Sequence, residues 1–173
     1  MPKNKTSLLL STRPFYQAQA KEAAALHQRC FQEFWSEASM STLLQNPCVH
    51  GFFTYTPCKS DPIGLLLGQI IFEDAEIYTL ATQNEYRRQG VASHLLEKFI
   101  VECLARSVKR ILLEVHEANV PALRFYERVG FVAYGRREKY YASFLRDYSD
   151  AILFEMAFGS KKQNLKKRLA LFN

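Results

Sequence analysis

Apolar and polar positions change their spacing twice between Glu76 and Arg110, and that change predicts the central unit of the fold. Ile77-Tyr78-Thr79-Leu80-Ala81-Thr82 is an apolar and Thr-containing run of strand length. A polar turn, Gln83-Asn84-Glu85-Tyr86, leads into Arg87-Arg88-Gln89-Gly90-Val91-Ala92. From there Val91, Leu95, Leu96, Phe99, Ile100, Cys103, Leu104 and Val108 recur at three- and four-residue steps, while Ser93, Glu97, Lys98, Glu102 and Arg106 fill the opposite face. That period predicts an amphipathic helix.

The rest of the chain is read in the same way. Leu8 to Arg13 predicts a first strand ended by Pro14, and Phe15 to Phe34 a helix with the stripe Leu26, Cys30 and Phe34. After a break at Trp35-Ser36-Glu37, Ser39 to Gln45 predicts a short helix stopped by Asn46-Pro47. Gly51 to Thr56 and Ile63 to Phe72 read as strands that form an antiparallel meander with the Ile77 run. Ile111 to Val115 reads as a strand lying parallel to the Ile77 run, because a strand, helix, strand crossover is right-handed. Val120 to Arg128 predicts a helix with Pro121 in its first turn, stopped at Val129-Gly130-Phe131. Phe131 to Tyr141 and Ala151 to Phe158 predict the last two strands, joined by a loop containing Arg146, Asp147 and Asp150.

The first chemical consequence lies at the start of the Val91 helix. The leading N–H groups of a helix lack internal acceptors and sit at the positive end of its dipole, so a strand, loop, helix unit binds anions. Gly90 and Ala92 leave the backbone bare enough for a diphosphate, and Arg87 and Arg88 add charge. The loop contains neither a nucleoside-triphosphate loop nor a dinucleotide fingerprint. Glu114 interrupts the apolar run Leu112-Leu113-Glu114-Val115. Strand alternation would point it to water, yet it stands near the C-terminal end of its strand, where open α/β sheets place ligands.

Composition narrows the classes without choosing among them. A chain of 173 residues, 48% hydrophobic and 23% charged, is that of an ordinary globular protein. It predicts a domain over 1–158 followed by a basic tail, 159–173. Taking Lys161, Lys162, Lys166, Lys167 and Arg168 from the formal +6 leaves +1 on residues 1–158, so no nucleic-acid footprint is spread over the fold. Leu165, Leu169 and Phe172 form an apolar helical stripe in a tail otherwise read as solvated. Cys30, Cys48, Cys58 and Cys103 and the histidines at 27, 50, 94 and 116 lack metal-ligand or disulfide spacing, so no metal is expected. With no apolar run of membrane length, a cytoplasmic monomer that does not engage a membrane is expected.

Arg87-x-x-Gly90-x-Ala92 resembles the pyrophosphate loop of the GNAT family of acetyl-CoA-dependent N-acetyltransferases. Leu113-Glu114-Val115-x-x-x-Asn119, then Ala122-x-x-x-Tyr126-Glu127-x-x-Gly130-Phe131, resembles in order and spacing its RimI-type branch, the ribosomal-protein-alanine acetyltransferases. Phe34-Trp35-Ser36-Glu37, Arg136-Arg137-x-x-Tyr140-Tyr141 and Asp150-Ala151-Ile152 extend the likeness over nearly the whole chain. It departs at Thr82-Gln83-Asn84, at His116 and in the basic tail, which bears on the identity of the peptide substrate.

The resemblance implies a mixed, mostly antiparallel α/β sheet of about seven strands with about four helices. It implies Glu114 as general base and Tyr126 as general acid. It further implies cofactor contacts from Arg87, Arg88, Gln89, Gly90, Val91, Ala92 and Asn119, and from the backbone of Leu80, Ala81 and Thr82 along pantetheine. Asn119 also reads as a helix N-cap, and both roles can hold at once. Trp35, Tyr140 and Tyr141 are implied near the peptide, although aromatic residues there also read as core. The implied acceptor is the α-amino group of a protein N-terminus, the alanine of a small-subunit ribosomal protein. A small-molecule amine or a lysine side chain is the alternative. A different class, a non-catalytic ribosome- or RNA-binding module, rests on the basic tail alone, for which a weak RNA contact is expected.

Overall fold

The computed structural model describes residues 9–142 and 148–159. Leu8, Arg146, Asp147 and the basic tail lie outside the described residues. The elements are β1 (Ser11–Phe15), α1 (Ala20–Cys30), α2 (Glu37–Leu44), β2 (Val49–Tyr55), β3 (Gly64–Ile71) and β4 (Asp74–Thr82), then α3 (Val91–Ala105), β5 (Arg110–His116), α4 (Val120–Arg128), β6 (Val132–Ala142) and β7 (Tyr148–Ala157). Short 3-10 turns occupy Gln17–Gln19 and Asn84–Tyr86. The seven strands hydrogen-bond in the order β1-β2-β3-β4-β5-β7-β6. β4 and β5 run parallel, as the crossover argument requires, whereas β5 with β7 and β6 with β7 are antiparallel. The expected mixed α/β class, with seven strands and four helices among the described residues, is the fold observed.

Several boundaries differ from the sequence reading. β7 begins at Tyr148 and not at Ala151, so Asp150, read as part of the preceding loop, lies in the strand, because Tyr148 and Ser149 already pair with Ala142 and Tyr141 of β6. β1 continues through Pro14 to Phe15, because β1 is an edge strand and needs no N–H donor on its open side. α1 begins at Ala20 and ends at Cys30, well inside the helix read from Phe15 to Phe34. Phe15 is buried in β1, and Phe31 has extended backbone although its N–H still bonds to His27 O at 3.0 Å. Phe34 therefore leaves the apolar stripe and stands 47% exposed. α2 starts two residues earlier than expected, because Ser36 caps it through the Ser39 N–H at 3.1 Å.

The chain divides into two compact units. One runs to Gly68 and takes in Thr79–Glu102; the other comprises Gln69–Tyr78 and the chain from Cys103 onward. In the first, Phe15 stacks on Phe53 at 4.0 Å, and Leu26, Met40, Leu65, Leu66, Leu67, Leu95, Leu96 and Phe99 are fully buried. α3 seats closely because β3 opens on a glycine. A Cβ on Gly64 would lie 2.6 Å from Val91 Cγ1 and 3.0 Å from Ala81 O. Gln83, also buried, donates its N–H to Ile63 O at 3.0 Å and its side-chain Nε2 to Pro62 O at 2.9 Å. These two bonds tie the exit of β4 to the entry of β3, and so aim the loop that follows.

In the second unit Ile111, Leu113 and Val115 enter the core, together with Tyr126, Val129, Phe131, Phe154 and Met156. Alternation leaves Leu112, Glu114 and His116 on the half-buried face of β5. The turn after β5 is fastened twice to the start of β7: Glu117 N–H donates to Asp150 O, and Asp150 N–H to Glu117 Oε1, each at 3.0 Å. Arg136 on β6 pairs with both carboxylates.

Candidate active site

The loop of the first unit that the sequence reads as an anion site is shaped by two left-handed residues. Arg88 has φ 60° and Gly90 φ 87°, both left-handed, directly before α3. Nothing lies within 4 Å of where a Gly90 Cβ would stand, so glycine is needed here for its torsion and not to avoid a clash. The first helical bond is His94 N–H to Gly90 O at 2.9 Å, which leaves the N–H groups of Val91, Ala92 and Ser93 ahead of the internal ladder. Successive N–H groups after a left-handed residue form a concavity for anions, reinforced by the helix dipole. Arg87, Arg88 and Gln89 are exposed around it, and Gln89 Nε2 braces the turn on Glu85 O at 2.7 Å.

β4 supplies a second feature of that unit. Its parallel ladder with β5 spans Asp74 to Ile77, so Leu80, Ala81 and Thr82 lie beyond it. Ala81 is buried, and Thr82 Oγ1 is a buried hydroxyl with no hydrogen-bond partner among the described residues. Such an atom is costly in a closed core, and suits a segment that hydrogen-bonds an extended ligand chain.

In the second unit, Glu114 is 20% exposed, and its Oε1 receives Arg137 Nη1 at 2.9 Å. The pairing follows from strand register. Glu114 and Gly135 both stand opposite Leu153 on β7, so Arg137, two residues further along the same face of β6, reaches diagonally across. The Arg137 guanidinium also lies 4.6 Å over the ring of Tyr140. Structure therefore links Glu114 and Tyr140 through a residue to which the sequence reading assigned no role. Its only signal was membership of the Arg136-Arg137-x-x-Tyr140-Tyr141 motif. Tyr141 holds a β6 position opposite Ser149, and its side chain lies outside the described residues.

Tyr126 points from α4 into a cluster of rings, with Phe125 at 5.1 Å, Phe131 at 5.4 Å and Phe154 at 6.3 Å. It is 7% exposed, and burial pushes its phenol well above the ordinary tyrosine range. Across the neutral range it is a hydrogen-bond donor. Asn119 caps α4, its Oδ1 accepting from Ala122 N–H at 3.3 Å, and its exposed side chain remains at the mouth of the β5–α4 turn.

Trp35 is half-buried in the segment between α1 and α2. His27, on the last turn of α1, accepts the Trp35 N–H at Nδ1 over 3.3 Å and stacks on its indole at 5.1 Å and 12°. The sequence reading gave His27 no role, since one histidine in an alanine-rich helix carries no motif. Among the described residues no group of three or more His, Cys, Asp or Glu is placed to hold a metal ion. No helix among them is long and apolar enough to cross a membrane.

The fold and the family pattern it carries are those of a class of acyl-group transferases. The chain belongs to the acetyltransferase (GNAT) family, whose sequence pattern matches residues 20–131. It is 36% identical over 73 residues to the ribosomal protein bS18-alanine N-acetyltransferase of Escherichia coli, covering 42% of this chain and 49% of that one. The chain thus spans about half the length of that relative. A Bacillus subtilis protein provisionally given the same name is 32% identical over 116 residues, 64% of this chain and 73% of its own. The crystal structure of the E. coli ribosomal-protein-alanine N-acetyltransferase superposes with a TM-score of 0.80 at 24% identity, covering 90% of this chain and 98% of that one. Arabidopsis thaliana NAA60 in complex with acetyl-CoA gives 0.76 at 16%, covering 87% and 99%. At those identities the two structures speak for the fold.

Proposed function

We propose that the chain transfers an acetyl group from acetyl-CoA to the α-amino group of a protein N-terminus, and that the acceptor is the N-terminal alanine of a small-subunit ribosomal protein. The observation that carries the reading is the loop: two left-handed residues, Arg88 and Gly90, directly precede α3, an arrangement that suits an anion held on the leading N–H groups of the helix. A diphosphate suits that concavity, with Arg87 and Arg88 supplying charge. The backbone of Leu80 to Thr82, and the unpartnered Thr82 hydroxyl, suit an extended amide chain such as pantetheine. Asn119 is the further proposed contact. When bound, acetyl-CoA supplies an activated thioester carbonyl.

The acceptor must arrive as a free amine. An α-amino group with a pKa near 8 costs about 1.4 kcal/mol to deprotonate at pH 7, against about 4.6 kcal/mol for a lysine near 10.4. That difference favours N-terminal amines. Glu114 is the proposed base, accepting the proton directly or through a water, and Arg137 holds the carboxylate in place while it does so. A thiolate leaving group resembles cysteine, near 8.5, so a phenol raised by burial donates a hydrogen bond to it more readily than a whole proton. Tyr126 is therefore proposed to stabilise the departing sulfur.

The test is intact-mass spectrometry of ribosomal proteins and of matched peptides incubated with the protein and labelled acetyl-CoA. One label on the α-amine of an alanine-initiated chain is the expected result. Label confined to lysine or to small amines would reject the N-terminal assignment. RNA binding with no label anywhere would favour the non-catalytic module.

A further inference from the structure

Six-residue connections between helices rarely hold an aromatic side chain in one place, since no ladder of backbone hydrogen bonds fixes them. Trp35 lies in such a connection, and it is the one tryptophan of the chain. What fixes it is His27. The imidazole is 4% exposed, near a helix C-terminus whose dipole would favour its protonated form by at most about 2 kcal/mol. Burial outweighs that term and holds its pKa down at about 4, so the ring is neutral at working pH. A neutral imidazole has one acceptor and one donor. Trp35 N–H occupies the acceptor, Nδ1, at 3.3 Å, which leaves the proton on Nε2, 3.3 Å from Thr79 Oγ1 on β4. Phe31 closes on the ring at 4.4 Å, and the Trp35 indole stacks almost parallel to it.

Every polar and apolar handle of His27 is thus spent on joining the Trp35 segment to β4. Thr79 immediately precedes Leu80, Ala81 and Thr82, the residues proposed to run along pantetheine. We infer that His27 is a positioning residue for the acceptor site: it sets Trp35 as a rigid wall for the incoming N-terminal residue, at a fixed distance from the strand that carries the acetyl donor. This inference rests on the acetyltransferase reading. It assigns His27 no contact with substrate and no proton transfer.

The test uses the full chain, an alanine-initiated peptide and acetyl-CoA. With one tryptophan, intrinsic fluorescence reports Trp35 directly. His27→Ala is expected to shift the emission to the red and to raise its quenching by acrylamide. Peptide KM should rise about tenfold while calorimetric acetyl-CoA affinity stays within about twofold of wild type. His27→Asn, whose Oδ1 replaces the Nδ1 acceptor, should recover much of both signals. Thr79→Val removes only the Nε2 partner in a side chain of equal size, and serves if His27→Ala does not fold; it should move both signals in the same direction. An unmoved emission, a moved emission with unchanged peptide KM, or parallel losses of peptide and acetyl-CoA binding would each overturn the inference. If the wild-type protein acetylates no N-terminal peptide, the functional reading fails and the acceptor role of His27 with it, while the emission still decides whether His27 holds Trp35.

Discussion

Removing the charge of Glu114 while keeping its shape separates chemistry from cofactor binding. Glu114→Gln is expected to lower kcat by about 10² to 10⁴ with acetyl-CoA affinity unchanged, measured by steady-state kinetics beside calorimetry. Unaltered turnover at saturating peptide would return Glu114 to a structural partner of Arg137. Tyr126→Phe keeps the ring cluster and removes one donor, so kcat should fall while peptide KM holds. His27 makes a prediction about stability. Its folded pKa of about 4 lies below the ordinary 6.5, so between those values the unfolded chain takes up a proton that the folded chain refuses. Stability is therefore full above about pH 6.5 and falls as pH drops toward 4, by up to about 3 kcal/mol from this residue. Urea unfolding at pH 7 and pH 4.5 should show a larger loss for wild type than for His27→Asn; equal losses would show that another group governs the acid limb.

Two glycines flank the start of α3, the proposed anion site, for opposite reasons. At Gly64 the torsion is ordinary but the space is filled by Val91, Leu95 and Ala81 O. Gly64→Ala must push the start of α3 off β3, and a cost of about 1–3 kcal/mol with weakened acetyl-CoA binding is expected. At Gly90 the space is open but φ is 87°. Gly90→Ala should cost about 1–2 kcal/mol in torsional strain, or relax the loop and lose the aim of the leading N–H groups. Thermal melts and acetyl-CoA titrations of both variants check this: weakened acetyl-CoA binding in both variants, with intact folds, is the expected pattern. Unchanged affinity in both would detach the loop from the proposed cofactor.

Charge acts over the whole molecule. Five of the six net positive charges lie in the tail after Gly159, which is expected to play no part in chemistry. Truncation after Phe158 should leave peptide turnover intact and weaken, with a shallower salt dependence, association with ribosomal particles. Loss of peptide turnover in a folded truncation would make the tail part of the site.

Much of this protein was written locally. The strand, loop, helix from Ile77, the bounds of α4, the Asn119 cap and the parallel placement of β5 all follow from hydrophobic period, capping chemistry and crossover handedness, which involve residues close in the chain or one unit apart. What local pattern left open was decided by register and burial. Pro14 stays in a strand because that strand is an edge, and Phe34 leaves the helix stripe because α1 ends at Cys30. Arg137 reaches Glu114 only because β7 lies between their strands in one register. His27 joins Trp35 to Thr79, 52 residues further along the chain, by the two faces and two nitrogens of one buried ring. Spacing in a sequence encodes periodic faces and local turns; a contact between distant elements depends on which face of each is buried against the other, and only the packed chain determines that.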